Sequence, residues 1–210
     1  MLPSRVVSAG ATADAVERPT GSGPAAVVIV EGASDGAALA ALAARRGVKL
    51  AAEGIELLAL GGYGNLGREL ERLAPRRSEI RLAGLCDAAE APHLRRALAR
   101  AGFGANLTVA EMERLGFYLC VADLEDELIR ALGPAEVQAV LAAEGDLPSF
   151  RTFQNQPAQR GRPVERQLRR FMGTQAGRKA KYARRLVDAL DLDRAPRPLD
   201  GALAHVRGGD

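Results

Sequence analysis

The chain has 210 residues, of which 47% are hydrophobic and 26% are charged. This composition allows one globular domain with a buried core and excludes a chain that is disordered throughout. No apolar run approaches the ~20 residues that span a bilayer, and no signal peptide is recognisable, so we expect a cytoplasmic protein without a membrane partner. Two cysteines are too few for a disulfide framework, and with only two histidines beside them the sequence offers no Cys/His zinc site. Any catalytic metal must therefore be bound by carboxylates.

Positive charge is concentrated in one segment. Residues 151–185 contain 11 arginines and lysines but a single acid, Glu165, so this segment carries +10 while the rest of the chain carries −7. A polyanion is the partner that such a segment favours. Only three of the 29 basic residues are lysines. Part of the arginine excess is therefore a general habit of this sequence, which weakens an inference from arginine alone.

Strands and helices alternate along the first two thirds of the chain. Residues 1–24 mix Gly, Ser, Thr and Pro and are predicted to form a flexible leader. Apolar runs at 26–30, 55–60, 80–86 and 117–121 predict four buried strands, and helical spacing at 35–46, 66–73 and 92–101 predicts helices between them. This order indicates an α/β fold with a parallel four-stranded sheet flanked by helices.

The remainder of the chain is predicted to be mainly helical. Helical segments at 134–144, 164–172 and 178–190 are separated by a polar link at 149–163, and Pro196 and Pro198 are expected to end the regular structure. We therefore divide the chain into the leader 1–24, a sheet domain 25–133, a helical extension 134–195 that carries the basic region, and a tail 196–210.

Acidic side chains follow three of the four predicted strands. Glu31 and Asp35 come after the first strand, Asp87 after the third, and Asp123 and Glu125 after the fourth. In a parallel sheet the carboxyl ends of the strands share one edge, where ligands bind. Carboxylates gathered there repel one another, and a hard divalent cation such as Mg²⁺ is the usual remedy.

Each of these acids also has a purely structural interpretation. Asp35 would complement a helix dipole, and Asp87 and Asp123 would cap the helices that follow them. Glu31 is harder to explain in this way, because a carboxylate at the mouth of a buried strand is costly unless something pairs with it. Several carboxylates at corresponding strand ends favour the functional interpretation.

A glycine motif supports a rival hypothesis. Gly62, Gly64 and Gly67 match G-x-G-x-x-G between a strand and a helix, and Asp87 lies 20 residues beyond the last glycine. Taken alone, this pattern predicts a Rossmann-type dinucleotide-binding protein. The motif follows the second strand, however, and it gives no role to Glu31, Asp123, Glu125 or the basic segment.

Taken together, the motifs resemble those of the Toprim domain shared by bacterial primases, topoisomerases and the overcoming-lysogenization-defect (OLD) family of nucleases. The similarity is greatest to the OLD family, and it covers roughly residues 25–190. It rests on V-E-G-x-x-D with Glu31 and Asp35, on the strand end at Asp87, on an acidic L-E motif with Asp123 and Glu125, and on K-x-x-aromatic-Ala beginning at Lys179. The sheet domain 25–133 would then be the Toprim domain.

The resemblance implies Mg²⁺- or Mn²⁺-dependent hydrolysis of phosphodiester bonds. Glu31, Asp35 and Asp87 would hold one metal, and Asp123 and Glu125 the other. Lys179 would stabilise charge on the scissile phosphate. The nucleic acid, DNA or RNA, would be gripped through its backbone by Arg160, Arg162, Arg166, Arg169, Arg170, Lys181, Arg184 and Arg185.

Two departures from the family pattern leave alternatives open. Ala89 stands where Toprim domains carry the second aspartate of D-x-D, with Glu90 as an imperfect substitute, so a non-catalytic nucleic-acid-binding module is an alternative to the nuclease. The sequence also has no G-x-x-x-x-G-K-[ST] loop. We therefore expect a stand-alone Toprim unit or one that works with a separate ATPase subunit, and a homodimer is left open.

Overall fold

A parallel sheet of four strands forms the centre of the protein in the computed structural model, which describes residues 23–175 and 177–209. The strands are β1 (Ala26–Val30), β2 (Ile55–Ala59), β3 (Arg81–Asp87) and β4 (Phe117–Cys120), in the order β2-β1-β3-β4. The predicted α/β fold is confirmed. The predicted leader lies outside the described residues as far as residue 22.

The sheet is buried on both faces. All five residues of β1 are buried, with Val28 and Val30 on one face and Val27 and Ile29 on the other, as the twofold period of a strand requires. The register places Val30 beside Ala59 of β2, and β3 pairs with both β1 and β4. A short run of consecutive apolar residues was therefore a reliable signal for a central strand.

Ten α-helices surround the sheet in the described part of the chain. They are α1 (Ala33–Arg45), α2 (Leu66–Leu73), α3 (Ala91–Arg100), α4 (Val109–Arg114), α5 (Leu124–Leu132), α6 (Pro134–Ala143), α7 (Leu147–Gln154), α8 (Val164–Met172), α9 (Arg178–Ala189) and α10 (Arg197–Arg207). Helices α2, α3 and α4 cover one face, and α1 with the helices from α5 onward covers the other. The C-terminal helices thus share one apolar core with the sheet.

Three helical segments differ from the predictions. The expected end of regular structure at Pro196 and Pro198 is wrong, because both prolines lie at the start of α10, where their fixed φ and missing N–H are tolerated. Helix α7 occupies part of the predicted polar link, and it buries Phe150 and Phe153. Helix α4 was not predicted.

The start of α4 carries a capping box that was readable in the sequence. The Thr108 hydroxyl accepts a hydrogen bond from the Glu111 N–H, and the Glu111 carboxylate accepts one from the Thr108 N–H.

None of the helices that the structure describes is long and apolar enough to span a membrane.

Candidate active site

A pocket of about 350 Å³ opens at the carboxyl edge of the sheet. All five acids singled out from the sequence contribute to its wall, together with one lysine, a serine and three glycines. We call it the carboxylate pocket, and it is lined by Glu31, Gly32, Ser34, Asp35, Gly61, Gly62, Asp87, Asp123, Glu125 and Lys179. The structure therefore brings together side chains at or after the ends of β1, β3 and β4 and one side chain from α9.

Glu31 and Asp35 occupy the turn from β1 into α1. Glu31 directly follows the strand and is exposed, whereas Asp35 lies in the first turn of the helix and accepts a hydrogen bond from the Gly32 N–H at 3.1 Å. The pKa of Asp35 is raised to about 6, mainly by burial. The hydrogen bond from Gly32 lowers this pKa, and the charges of Glu125 and Glu31 raise it further. The local capping role and the position in the pocket thus occur together.

Asp87 is the last residue of β3 and lies beside the end of β4, opposite Cys120. Its pKa is raised to about 7, first by burial and then by the charges of Asp123, Glu31, Asp35 and Glu125. A carboxylate surrounded by four others is held in an environment that opposes its ionisation. A bound cation would relieve this repulsion.

Asp123 and Glu125 stand at the start of α5, and each has a cationic partner from the C-terminal helices. Asp123 caps the helix by accepting from the Asp126 N–H at 2.9 Å, and its other oxygen lies 2.6 Å from Arg169 Nε. Glu125 is only 2% exposed, and its Oε2 lies 3.1 Å from Lys179 Nζ. Helices α8 and α9 therefore bring positive charge to the carboxylates.

The donor set suits a hard divalent cation, although the side chains are not yet arranged around one. Among residues 23–175 and 177–209, no three His, Cys, Asp or Glu side chains form a ready metal-ligating group. The buried Oε1 of Glu125 nevertheless has no hydrogen-bond partner, and oxygen ligands of this kind are those that Mg²⁺ prefers. The carboxylate ligands are of the type that suits Mg²⁺. Small movements of Asp123 away from Arg169 and of Glu125 away from Lys179 would free further oxygens to bind it.

A second pocket, of about 430 Å³, adjoins the first and shares Asp123 and Lys179 with it. We call it the arginine pocket, because α8 and the residues on either side of it supply Arg162, Arg166, Arg169 and Arg170, with Gly173 completing the wall. Arg169 is tied to Asp123, whereas none of the other three arginines has an ion pair with a described carboxylate. The pocket therefore carries positive charge that is not internally neutralised.

The remaining predicted nucleic-acid contacts lie elsewhere. Lys181 and Arg185 pair with Glu144, and Arg184 lies 3.8 Å from Asp188 on its own helix. None of these three lines either pocket, and neither does Arg160, whose Nε donates to the Asn155 carbonyl at 2.9 Å. The high charge counted along the sequence thus overstates the positive surface next to the carboxylates.

The sequence analysis gave the glycine turn after β2 a role only in the rival dinucleotide hypothesis. Gly61 and Gly62 have positive φ angles of 66° and 130° and bring the backbone to the carboxylate pocket. The Tyr63 hydroxyl donates to the Leu85 carbonyl at 2.7 Å and fixes this turn against β3. Because the turn faces carboxylates, a pyrophosphate there would be repelled, and this disfavours the dinucleotide hypothesis based on Gly62, Gly64 and Gly67.

Glu90 does not replace the missing aspartate of D-x-D. It lies at the end of a short 3₁₀ turn before α3, is exposed, and is absent from the lining of the carboxylate pocket. Ala89 supplies no ligand atom. Asp87 is therefore the only carboxylate that the 87–90 turn contributes to this pocket.

Comparison with known families agrees with this geometry. Residues 25–88 match the family model "Overcoming lysogenization defect protein-like, TOPRIM domain". Residues 25–88 are therefore similar to an OLD-like Toprim domain. The match contains Glu31, Asp35 and Asp87 but ends before Asp123, Glu125 and Lys179, so the inclusion of the last three in the site rests on their positions in the structure.

Solved structures with the same fold extend the comparison beyond the Toprim match. The C-terminal region of the Xanthomonas campestris pv. campestris OLD protein, phased with platinum, has a TM-score of 0.67 and 24% identity, covering 88% of this chain and 93% of that one. The C-terminal region of the Burkholderia pseudomallei OLD protein has a TM-score of 0.64 and 20% identity, covering 88% and 98%. No curated protein sequence matches the chain.

These similarities show that the arrangement of helices after the Toprim domain is also found in OLD proteins. At identities of 20–24% they establish the fold alone. An OLD-like Toprim domain is associated with nuclease-type, nucleic-acid-related function.

Proposed function

We propose that the protein is a metal-dependent endonuclease that hydrolyses phosphodiester bonds of DNA. The observation that carries the proposal is the meeting of five carboxylates and Lys179 in one pocket, directly beside the arginine pocket. Carboxylates supply ligands for Mg²⁺ or Mn²⁺, and uncompensated arginines attract the phosphate backbone. Neither feature alone distinguishes an enzyme from a binding module, but a phosphate bound by the arginines would lie next to the acids.

The five acids divide into two groups by their place in the chain. Glu31, Asp35 and Asp87 would bind one divalent ion, and Asp123 with Glu125 would bind the other. Bound metal would supply an activated water and stabilise the leaving oxygen. Because Asp35 and Asp87 have raised pKa values, protons would compete with a metal ion for these two carboxylates near neutral pH.

Lys179 and the arginines would act on the substrate. Lys179 lies at the junction of the two pockets, so its ammonium would neutralise charge on the scissile phosphate once it leaves Glu125. Arg162, Arg166 and Arg170 would hold the neighbouring backbone without reading bases. RNA would be bound by the same chemistry, and we propose DNA because the chain resembles the OLD family of nucleases.

The second candidate is a Toprim module that binds nucleic acid without cleaving it. Two observations favour it: the ion pairs of Asp123 with Arg169 and of Glu125 with Lys179 already neutralise two ligands, and Ala89 leaves the D-x-D position without a donor. In such a module the carboxylates would fix the basic helices and bind no metal.

A plasmid assay separates the two candidates. Purified protein is incubated with supercoiled plasmid and Mg²⁺ or Mn²⁺, and nicked and linear products are followed with time. We expect cleavage that is lost in Glu31→Ala and Asp87→Asn but retained in Glu90→Gln, a matched control because Glu90 is an exposed acid of the same turn outside the pocket. Salt-sensitive DNA binding without cleavage would instead support the binding module.

The partners and the location of the protein stay predictions. From the sequence we expect a cytoplasmic location and leave open a separate ATPase subunit and a homodimer, and the proposed chemistry of the pocket requires none of these. Mixing the chain with DNA and measuring its mass by light scattering would show whether a second copy joins it on the substrate.

A further inference from the structure

A third pocket, of about 380 Å³, lies at the opposite edge of the sheet from the carboxylates. It opens beside Arg81, the first residue of β3, whereas Asp87 at the other end of the same strand lines the carboxylate pocket. Six residue steps of a strand span roughly 20 Å. We call this the remote pocket, since its occupant would not touch the proposed catalytic groups.

The remote pocket has an excess of positive charge. Arg77, Arg81 and Arg114 contribute to its lining together with His205, and no carboxylate does. None of the three arginines has an ion pair with any carboxylate in the described chain, although Arg76, next to Arg77, pairs with Glu79.

The contacts that two of these arginines do make are weak. Arg81 Nη1 reaches the Val206 carbonyl at 3.5 Å, and Arg114 Nε reaches the Ala110 carbonyl at 3.4 Å. Both distances lie beyond the usual range for a good N–H···O hydrogen bond. Glu111, which precedes Arg114 by three residues on α4, interacts electrostatically with Arg114 without forming an ion pair. Three guanidinium groups that line one concavity without an ion pair are suited to an anion with several acceptor oxygens.

The pocket also has an apolar wall. Phe103 and Leu115 line it beside Ile80 and Leu82, and the Arg77 guanidinium lies 6.0 Å from the centre of the Phe103 ring. His205 of α10 is half-buried at the same pocket, and burial with the nearby Arg81 charge lowers its pKa. The lowered pKa favours the neutral imidazole, which can donate or accept a hydrogen bond.

We propose that the remote pocket binds a nucleoside monophosphate. The arginines would hold the phosphate, and the planar base would lie against the wall formed by Phe103 and Leu115. The volume falls in the range of small-molecule pockets, roughly 300–1,000 Å³. This assignment is independent of the proposed nuclease activity, because it uses none of the residues of the carboxylate or arginine pockets.

Calorimetric titration tests the assignment on the full chain. AMP is titrated in EDTA, which removes any metal that could recruit a nucleotide to the carboxylates, and inorganic phosphate and adenosine are titrated separately. We expect AMP to bind more tightly than either fragment. Equal affinity for AMP and inorganic phosphate would overturn the proposal, since the apolar wall would then contribute nothing.

Variants locate the binding. Arg114→Ala and Arg77→Ala should each weaken AMP binding by about tenfold or more, as expected for loss of a charge-assisted contact. Arg96→Ala is the matched control, because Arg96 is an exposed arginine of α3 outside the pocket, and it should leave the affinity unchanged. All three positions are exposed, so their variants should fold, and thermal unfolding verifies this.

One further variant tests whether AMP binds at the arginine pocket instead. If Arg166→Ala reduced AMP affinity while Arg114→Ala did not, the nucleotide would occupy the arginine pocket and the proposal would be wrong. Failure of AMP to bind in EDTA at millimolar concentration would also overturn it. Neither result would affect the plasmid assay, so failure here is distinguishable from failure of the proposed nuclease.

Discussion

Lys179 Nζ lies 3.1 Å from Glu125 Oε2, while the other oxygen of the same carboxylate is buried without a hydrogen-bond partner. Glu125 is almost completely buried, whereas about half of the Lys179 side chain is exposed. Burial alone would lower the pKa of Lys179, but Glu125, Asp123 and Asp35 raise it above the ordinary value. Helix α9 thus supplies the ion pair of the Glu125 carboxylate, and the charge of Arg169 on α8 also acts on this carboxylate.

Removing the lysine should therefore destabilise the metal-free protein. In Lys179→Met, both oxygens of Glu125 lack a partner, and the expected cost is about 1–3 kcal/mol in the free energy of unfolding. In the double variant Lys179→Met with Glu125→Gln, most of this loss should disappear because no buried charge remains. Urea unfolding in EDTA measures the cycle.

The control for this cycle is Lys181→Met, since Lys181 pairs with Glu144 and Asp146 at the protein surface and has no contact with Glu125. It should cost less than about 1 kcal/mol. Additive effects of the two substitutions at 179 and 125 would mean that the ion pair contributes nothing to folding.

Asp87 gives the metal-free protein a specific pH dependence. Its pKa rises from 3.8 to about 7 on folding, so the folded state favours the neutral acid. The contribution of Asp87 to the free energy of unfolding is most favourable below about pH 4, where the carboxyl is neutral in both states. It is lost as the pH rises through 7 and the folded protein has to ionise this carboxyl. Asp87→Asn should therefore be more stable than the unsubstituted protein at pH 8 by on the order of 1 kcal/mol, or about 2–4 °C, after allowance for partial exposure.

Thermal unfolding in EDTA at pH 5 and pH 8 checks this expectation. The difference between the variant and the unsubstituted protein should grow with pH, and adding Mg²⁺ in place of EDTA should reduce it by stabilising the protein that retains Asp87 more than the variant. A stabilisation by Asp87→Asn that is equal at both pH values would show that ionisation of Asp87 is not its cause.

DNA affinity should reside in the arginine pocket. Arg166→Glu with Arg170→Glu should weaken binding of unrelated DNA sequences to a similar degree and reduce its salt dependence, because fewer phosphate contacts release fewer counterions. Arg184→Glu with Arg185→Glu makes the same change of charge on α9 outside both pockets and should have a much smaller effect. Fluorescence anisotropy at several salt concentrations gives both quantities, and equal losses in the two double variants would indicate a general effect of net charge.

The strands and the meeting of the acids could be predicted from the sequence because both follow from local patterns. Buried runs such as 26–30 identify central strands, and parallel strands bring Glu31, Asp87 and Asp123 to the same edge whatever the details of packing. The Asp123 cap was likewise predictable from its place before a helix.

The partners of the acids could not be predicted, because they depend on how α8 and α9 pack. Arg169 and Lys179 reach Asp123 and Glu125 across 46 and 54 positions of the chain. The K-x-x-aromatic-Ala motif singled out Lys179 but did not identify Glu125 as its partner, and no local pattern distinguished Arg169 from Arg170. The remote pocket was missed for the same reason. His205 of α10 lines this pocket, and we had expected regular structure to end at Pro196 and Pro198, before that helix.

The rate of cleavage is where Lys179 should matter most. If its ammonium neutralises charge that develops on the phosphate, Lys179→Ala should slow cleavage by about 10²-fold or more, the size expected when one preorganised electrostatic group is lost. DNA affinity should change little, since Arg162, Arg166 and Arg170 remain. Single-turnover cleavage with saturating enzyme measures the chemical step, and anisotropy measures binding.

Lys179→Arg should restore the rate only in part, because a planar guanidinium cannot place its charge where the ammonium stood. Lys181→Ala, two residues away and paired with Glu144 and Asp146, should cleave at nearly the normal rate. In Lys179→Ala the carboxylates also lose a competing cation, so Mn²⁺ should bind more tightly even as cleavage slows. Tighter metal binding combined with slower chemistry is an outcome that a merely structural lysine would not produce, and cleavage at the normal rate by Lys179→Ala would exclude the proposed role.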